Sequence, residues 1–233
     1  MASIVSALWH VDAPDPAAVL RDSQPDPAVS RALLGRLFPG RRPVALDRVP
    51  LTHAVQGGDP ERQQVFVGSY PGVTVVCSGE LHLRTPSALP LRWRQTLAAE
   101  HTFLTVSDPP GAWGAFAAWE RGVLRRAFGA DTVEFFEDEG VPFAWEHPFW
   151  AGRHPIRWPA DFTPPPHSLP FHPRRLVEQA NAAWLGFRYV GRVGSEPDPA
   201  DIEVWGFDLL DKDEAVTPPR RARSSWWRRG AAL

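Results

Sequence analysis

The stretch "QQVFVGSYPGVTVVCS" (63–78) limits the fold more than any other part of the chain. It holds two apolar runs, each the length of one strand, separated only by Tyr70, Pro71 and Gly72. A Pro-Gly turn joins them directly, and a connection that short fits only an antiparallel pair, because parallel strands need a long crossover. "AWGAFAAWERGVLRRAF" (112–128) repeats the arrangement around Glu120, Arg121 and Gly122. Its small Gly114, Ala115 and Ala117 predict close approach by a helix or another backbone. "SIVSALWHV" (3–11) is apolar on both faces, the pattern of a central strand, and "HTFLTVS" (101–107) is a further strand.

Helices are predicted between these runs. Asp15-Pro16 and Asp26-Pro27 each supply a capping carboxylate followed by a proline suited to the first helical position. The second helix carries Val29, Leu33 and Leu37 as one stripe and stops at Pro39-Gly40. "SALPLRWRQTLAA" predicts a helix with Leu89, Trp93 and Leu97 on one face. "PRRLVEQANAAWLGF" (173–187) predicts another, with Leu176, Ala180, Ala183, Trp184 and Phe187 inward. "DPADIEVWGFDLL" (198–210) reads as a short capped element. The connections show no βαβ rhythm, so the expected class is α+β: a mainly antiparallel sheet with packed helices. The expected organisation is one domain over 1–210, a long ordered loop over 141–172, and a disordered basic tail over 211–233.

Composition fits one packed body. Hydrophobic content of 43% is ordinary, whereas 26 Pro in 233 residues is about twice the usual frequency and marks stiffened loops. Eleven Trp and thirteen Phe supply a large aromatic area to bury or to stack upon. Lys212 is the sole lysine, so the arginine bias reads as coding bias rather than selection for phosphate. The net charge of −2 argues against a dedicated nucleic-acid binder. Residues 218–233 hold five arginines and no acid, and without them the body stands at −7. Cys77 has no partner for an internal disulfide, the N-terminus lacks a signal-peptide pattern, and no run is long enough to span a membrane. A cytoplasmic location is expected.

No dinucleotide, P-loop, nucleophile-elbow, zincin or Cys-x-x-Cys pattern occurs. The segment "EHPFWAGRHPIRWPADFTPPPHSLPFHPRR" (146–175) is the richest in candidates. His147, His154, His167 and His172 are zinc-ligand types, with Glu146 or Asp161 as added carboxylates. Their spacing matches no metal signature, and three of them precede proline, which favours extended corner positions. The aromatics Trp145, Phe149, Trp150, Trp158, Phe162 and Phe171 either line a pocket for a flat or apolar ligand or anchor the loop. In "EFFEDEG", Glu134, Glu137, Asp138 and Glu139 are candidates for a cation or a general base. As a strand, the segment puts Glu137 and Glu139 on one face and Asp138 on the other. Cys77 is a weak nucleophile candidate and reads better as a core residue. In the tail, Arg220, Arg221, Arg223, Trp226, Trp227, Arg228 and Arg229 resemble a contact for anionic lipid or nucleic acid.

The ordered phrases "RLFPGRRP" (36–43), "YPGVTVVCSGEL" (70–81), "FAAWERGVL" (116–124), "PFWAGRHP" (148–155) and "LPFHPRRL" (169–176) resemble an uncharacterised family of actinobacterial proteins, a domain of unknown function. The resemblance spans about residues 3–190 and implies a bacterial cytoplasmic protein with one domain there. It supplies no activity, cofactor or catalytic residue, and the basic Trp-containing end departs from the family pattern. Three readings follow. The first is a non-catalytic binding or interaction domain that uses the 141–175 loop for a protein or a small apolar ligand, with no cofactor. The second is a metal-dependent hydrolase-like enzyme holding a divalent ion such as zinc on the loop histidines. The third is a peripheral factor touching membrane or nucleic acid through the tail.

Overall fold

The computed structural model describes residues 4–59, 63–158, 161 and 163–212. Nine strands form one sheet: β1 (Val5–Val11), β2 (Arg41–Pro50), β3 (Gln64–Tyr70), β4 (Val73–Cys77), β5 (His101–Asp108), β6 (Trp113–Glu120), β7 (Val123–Ala130), β8 (Phe135–Gly140) and β9 (Glu203–Asp211). Their order is β2-β9-β3-β4-β1-β5-β6-β7-β8, and neighbours pair antiparallel. The expected hairpins close where the turn residues predict, β3 to β4 through Pro71-Gly72 and β6 to β7 through Arg121-Gly122. The strand β1 is central.

Alternation along the strands sends side chains to opposite faces, and both faces are covered. One face carries the row Val67, Val76, Leu8, Leu104, Ala117 and Ala127, linked by strand register. Against this row pack the helices α2 (Pro27–Leu37) and α4 (Leu91–Gln95) through Leu33, Leu34 and Trp93. The opposite face carries Val75, Trp9, Phe103, Ala118 and Arg126 in register. There lie α1 (Pro16–Asp22), α3 (Leu51–Ala54) and α6 (Pro173–Leu185). Gly114 on β6 allows α6 to approach closely: a Cβ there would sit 3.1 Å from the Arg174 backbone nitrogen.

Several expectations need correction. The segment 198–210 is not a short capped element: Glu203–Asp211 is a full strand inserted between β2 and β3. The edge strand β2 carries no alternating apolar signal, because most of its residues are half-buried or exposed. The stripe on α2 is rotated: Ser30, Leu33, Leu34 and Leu37 face the core while Val29 is exposed. On α6 the buried set includes Val177, Asn181 and Leu185, and Ala183 is exposed. The 86–98 stretch breaks into the 3₁₀ turn Pro86–Ala88 and the short α4. The loop is partly helical, with the 3₁₀ turn Ala144–Glu146 running into α5 (His147–Trp150). His147 therefore has helical φ/ψ (−53°, −40°) despite the proline after it. The tail residues from 213 onward, and with them the lipid or nucleic-acid reading, lie outside the described residues; Asp211 itself belongs to β9. Among the described residues no helix is long and apolar enough to cross a membrane.

Candidate functional site

The loop is held to the sheet by a buried ion pair. Arg126 and Glu146 are both fully buried. Arg126 Nε and Nη2 donate to Glu146 at 3.0–3.3 Å, while Nη1 donates to the carbonyls of Ala127 and Glu139 and to Asp138. Glu146 also accepts from the Phe143 backbone N–H at 3.0 Å and from Trp150 Nε1 at 3.2 Å. Both oxygens of this candidate metal carboxylate are thus occupied by donors. Asp138 points to the Arg126 face, as alternation requires. Glu137 faces the other way and accepts from Ser87 N at 3.0 Å, at the start of a 3₁₀ turn. Glu134 and Glu139 are exposed.

The four loop histidines take different positions. His147 and His167 are exposed, and His167 holds a positive φ of 71°. His154 lies over Phe149 with ring centroids 4.2 Å apart. His172 caps α6, its Nδ1 accepting from Arg174 N at 3.3 Å. Only His154 and His172 line a common cleft. Among the described residues no group of three His, Cys, Asp or Glu side chains is placed to hold a metal ion. Asp161 is exposed. Cys77 is fully buried, and burial pushes its thiol far above the ordinary range, away from the thiolate a nucleophile needs.

The candidate aromatics divide. Phe149, Trp150 and Phe171 interlock edge-to-face, with Trp150–Phe171 centroids 4.9 Å apart, and Trp150 also stacks on Phe135. These rings hold the loop to Phe116 and Phe128 of the sheet. Trp158 is half-buried, and Phe162 lies outside the described residues. Trp145 also packs on Phe116, with ring centroids 5.6 Å apart, and extends the ring contacts towards α6. It stacks with Phe143 at 5.8 Å and stands nearly perpendicular, at 85°, to Trp184 of α6. Trp184 stacks in turn on Phe103 at 4.5 Å, and Phe103 on His101 at 5.9 Å.

These two ring planes wall an open cleft of about 470 Å³ at the ends of β1, β5 and β6. At its rim Glu120 and Arg125 form an ion pair with each other at 2.7 Å. Trp145 stands out in the sequence as a loop aromatic, whereas Phe103, Trp184 and His101 are separated from it in the chain and read as strand or helix-face residues. A second cleft, of about 600 Å³, opens on the other side of α6 between it and residues 154–157.

The architecture is thus a sheet-dominated domain, a nine-stranded antiparallel sheet with a few packed helices, with a loop fastened by a buried ion pair and open clefts flanking its longest described helix. The chain belongs to a family of unknown function, DUF6928, whose model matches residues 5–207 and so reaches through most of β9. No curated protein and no solved structure matches it.

Proposed function

We propose that this is a non-catalytic binding domain whose cleft between the loop, α6 and the sheet takes a flat, largely apolar small ligand. The observation that carries this reading is the corner of rings formed by the stacked pair Phe143–Trp145 and the stacked series Trp184–Phe103–His101. Perpendicular ring walls offer one face for stacking and one for edge contact, the two preferred aromatic geometries. The volume of about 470 Å³ lies within the usual small-molecule range. Glu120 and Arg125 neutralise each other at the rim, which favours an uncharged ligand. The described lining pairs no nucleophile with a base, which supports binding over catalysis. A cytoplasmic location is part of the proposal, since Cys77 has no internal disulfide partner.

The test is titration with 2-naphthol, a neutral planar probe, followed by tryptophan fluorescence and by protein NMR. Saturable binding is expected, weakened several-fold in Trp145→Ala and in His101→Ala. Absence of saturable binding, or equal binding by both variants and the unaltered chain, would refute the proposal.

A further inference from the structure

The second cleft has a different chemistry. Its walls supply Arg157 from the loop, Arg174 and Arg175 from the first turn of α6, and Arg188 from the segment after that helix. Arg188 is committed, donating to Glu196 and to Gln179. Arg157, Arg174 and Arg175 form no ion pair with a carboxylate among the described residues. The Arg174 Nε is buried and without a hydrogen-bond partner there. The acid in the lining is Glu178, whose carboxylate accepts from the backbone of Tyr189 and Val190 at 2.8 and 3.3 Å. Glu178 uses one carboxylate oxygen for those amides and offsets part of the charge of Arg174 and Arg188, which still leaves an excess of positive charge in a concave site, an arrangement that self-repulsion disfavours unless an anion is bound.

The field is felt by His172. Burial disfavours its imidazolium first, and the guanidiniums of Arg174 and Arg175 disfavour it further. Because Nδ1 accepts from Arg174 N, the neutral ring carries its proton on Nε2. The first-turn amides of α6 are not the anion's main donors: Arg174 N is taken by His172 Nδ1 and Arg175 N by the His172 carbonyl, and Pro173 has none. Recognition must come from guanidinium groups, whose planar forks suit phosphate oxygens bidentately. Beside them the cleft has an apolar wall of Phe149, Pro155, Ile156 and Val190, with His154 lying on Phe149. A volume of about 600 Å³ accommodates far more than a bare ion.

We infer that this cleft binds a small organic phosphate monoester, with its dianionic head among Arg157, Arg174 and Arg175 and its apolar body against Phe149, Pro155 and Ile156. Arg157 and Arg175, free of carboxylate partners among the described residues, together with Arg174, whose charge Glu178 offsets only in part, match a dianion better than a single carboxylate, and the apolar wall selects an esterified phosphate over a free one. The site shares no lining residue with the ring-walled cleft, so it stands independently of the proposal for that cleft.

Phenyl phosphate is the probe, titrated calorimetrically into the full chain at low salt beside inorganic phosphate and phenol. One-to-one binding is expected, about tenfold or more tighter for phenyl phosphate than for either fragment. Arg157 and Arg175 are exposed, so a double Arg157→Ala/Arg175→Ala chain retains the fold and is expected to lose about tenfold or more in affinity. Arg36→Ala/Arg92→Ala, elsewhere on the surface, is the control and should bind as the unaltered chain does. No saturable binding of phenyl phosphate, equal affinity in the double and control variants, or phenol binding as tightly would each overturn the inference. Inorganic phosphate matching phenyl phosphate would overturn the part played by the apolar wall. Retention on phosphatidic-acid vesicles without phenyl phosphate binding would transfer the phosphate to a lipid headgroup and overturn the small-molecule assignment.

Discussion

Replacing Glu146 by Gln tests the ion pair that fastens the loop. The substitution keeps shape and removes one charge. In the native protein Arg126 Nε and Nη2, Phe143 N–H and Trp150 Nε1–H all converge on the Glu146 oxygens. A Gln side chain presents an NH₂ group to some of those donors, so at least one buried donor loses its acceptor. The Arg126 guanidinium, with no exposed surface of its own, keeps the Ala127 and Glu139 carbonyls but has only Asp138 as a charged partner, whose side chain is 47% exposed and screened by water. Breaking a buried pair from one side costs about 3–5 kcal/mol. For a chain of this size each kcal/mol lowers Tm by about 2–4 °C, so the expected fall is roughly 6–20 °C. Urea unfolding should show the same loss as a lower midpoint with the slope unchanged. Two companions sharpen the test. Asp138→Asn, at the half-exposed partner, should cost about 1 kcal/mol or less. A joint Arg126→Met/Glu146→Leu chain should recover part of the stability lost by Glu146→Gln, because it removes the unpaired guanidinium, but not all of it, because the Phe143 N–H and Trp150 Nε1–H lose their acceptor. A loss below about 1 kcal/mol in Glu146→Gln would refute the reasoning, since solvent or Asp138 would then suffice for Arg126.

Burial lowers His10 to about 4, with Asp12 opposing the shift, so the folded state disfavours its charged form. The stability it contributes is present above the unfolded value of 6.5 and is lost as pH falls from there towards 4; His10→Gln should flatten the urea-midpoint profile across that window. Cys77, fully buried and with its thiol pushed up, should resist alkylation in the native chain and react at the rate of unfolding, which mass spectrometry reads directly. Gly129→Ala would place a Cβ 2.2 Å from the Arg84 carbonyl oxygen, a backbone atom that cannot swing aside, and should lower the urea midpoint by the equivalent of roughly 2 kcal/mol or more.

Local signals made part of this fold legible. Pro71-Gly72 and Arg121-Gly122 force hairpins because their geometry is decided within a few residues, and the two-sided apolar run of β1 follows from burial on both faces of one sheet. The edge strand β2 was not legible: it is arginine-rich, carries a bulge between Ala45 and Arg48, and gains its partner only from residues near 203–211. The same distance hid β9 behind a capping pattern. Glu146 illustrates the limit at the site. Its position beside histidines suggested a metal ligand, yet the decisive neighbour is Arg126, twenty residues earlier on another strand. Nothing local distinguishes Arg126 from Arg125, which is exposed; the alternation of β7 alone separates them. The arginine cleft was obscured likewise, because its residues look like compositional bias until α6 and the loop bring them face to face.

The placement of β9 sets a timetable for synthesis. Strands β3, β4, β1, β5, β6, β7 and β8 can pair as they emerge, since each neighbour is close in sequence or already made. The strand β2 pairs only with β9, and β9 follows it by about 150 residues. At roughly 5–20 residues per second, β2 and the free edge of β3 wait on the order of 8–30 s without their ladder partners. During that interval the nascent chain carries an unprotected sheet edge at β3. Docking of β9 then covers that edge and gives β2 its place in the same step, so a ribosome stalled before residue 203 would release a chain with an open, aggregation-prone edge.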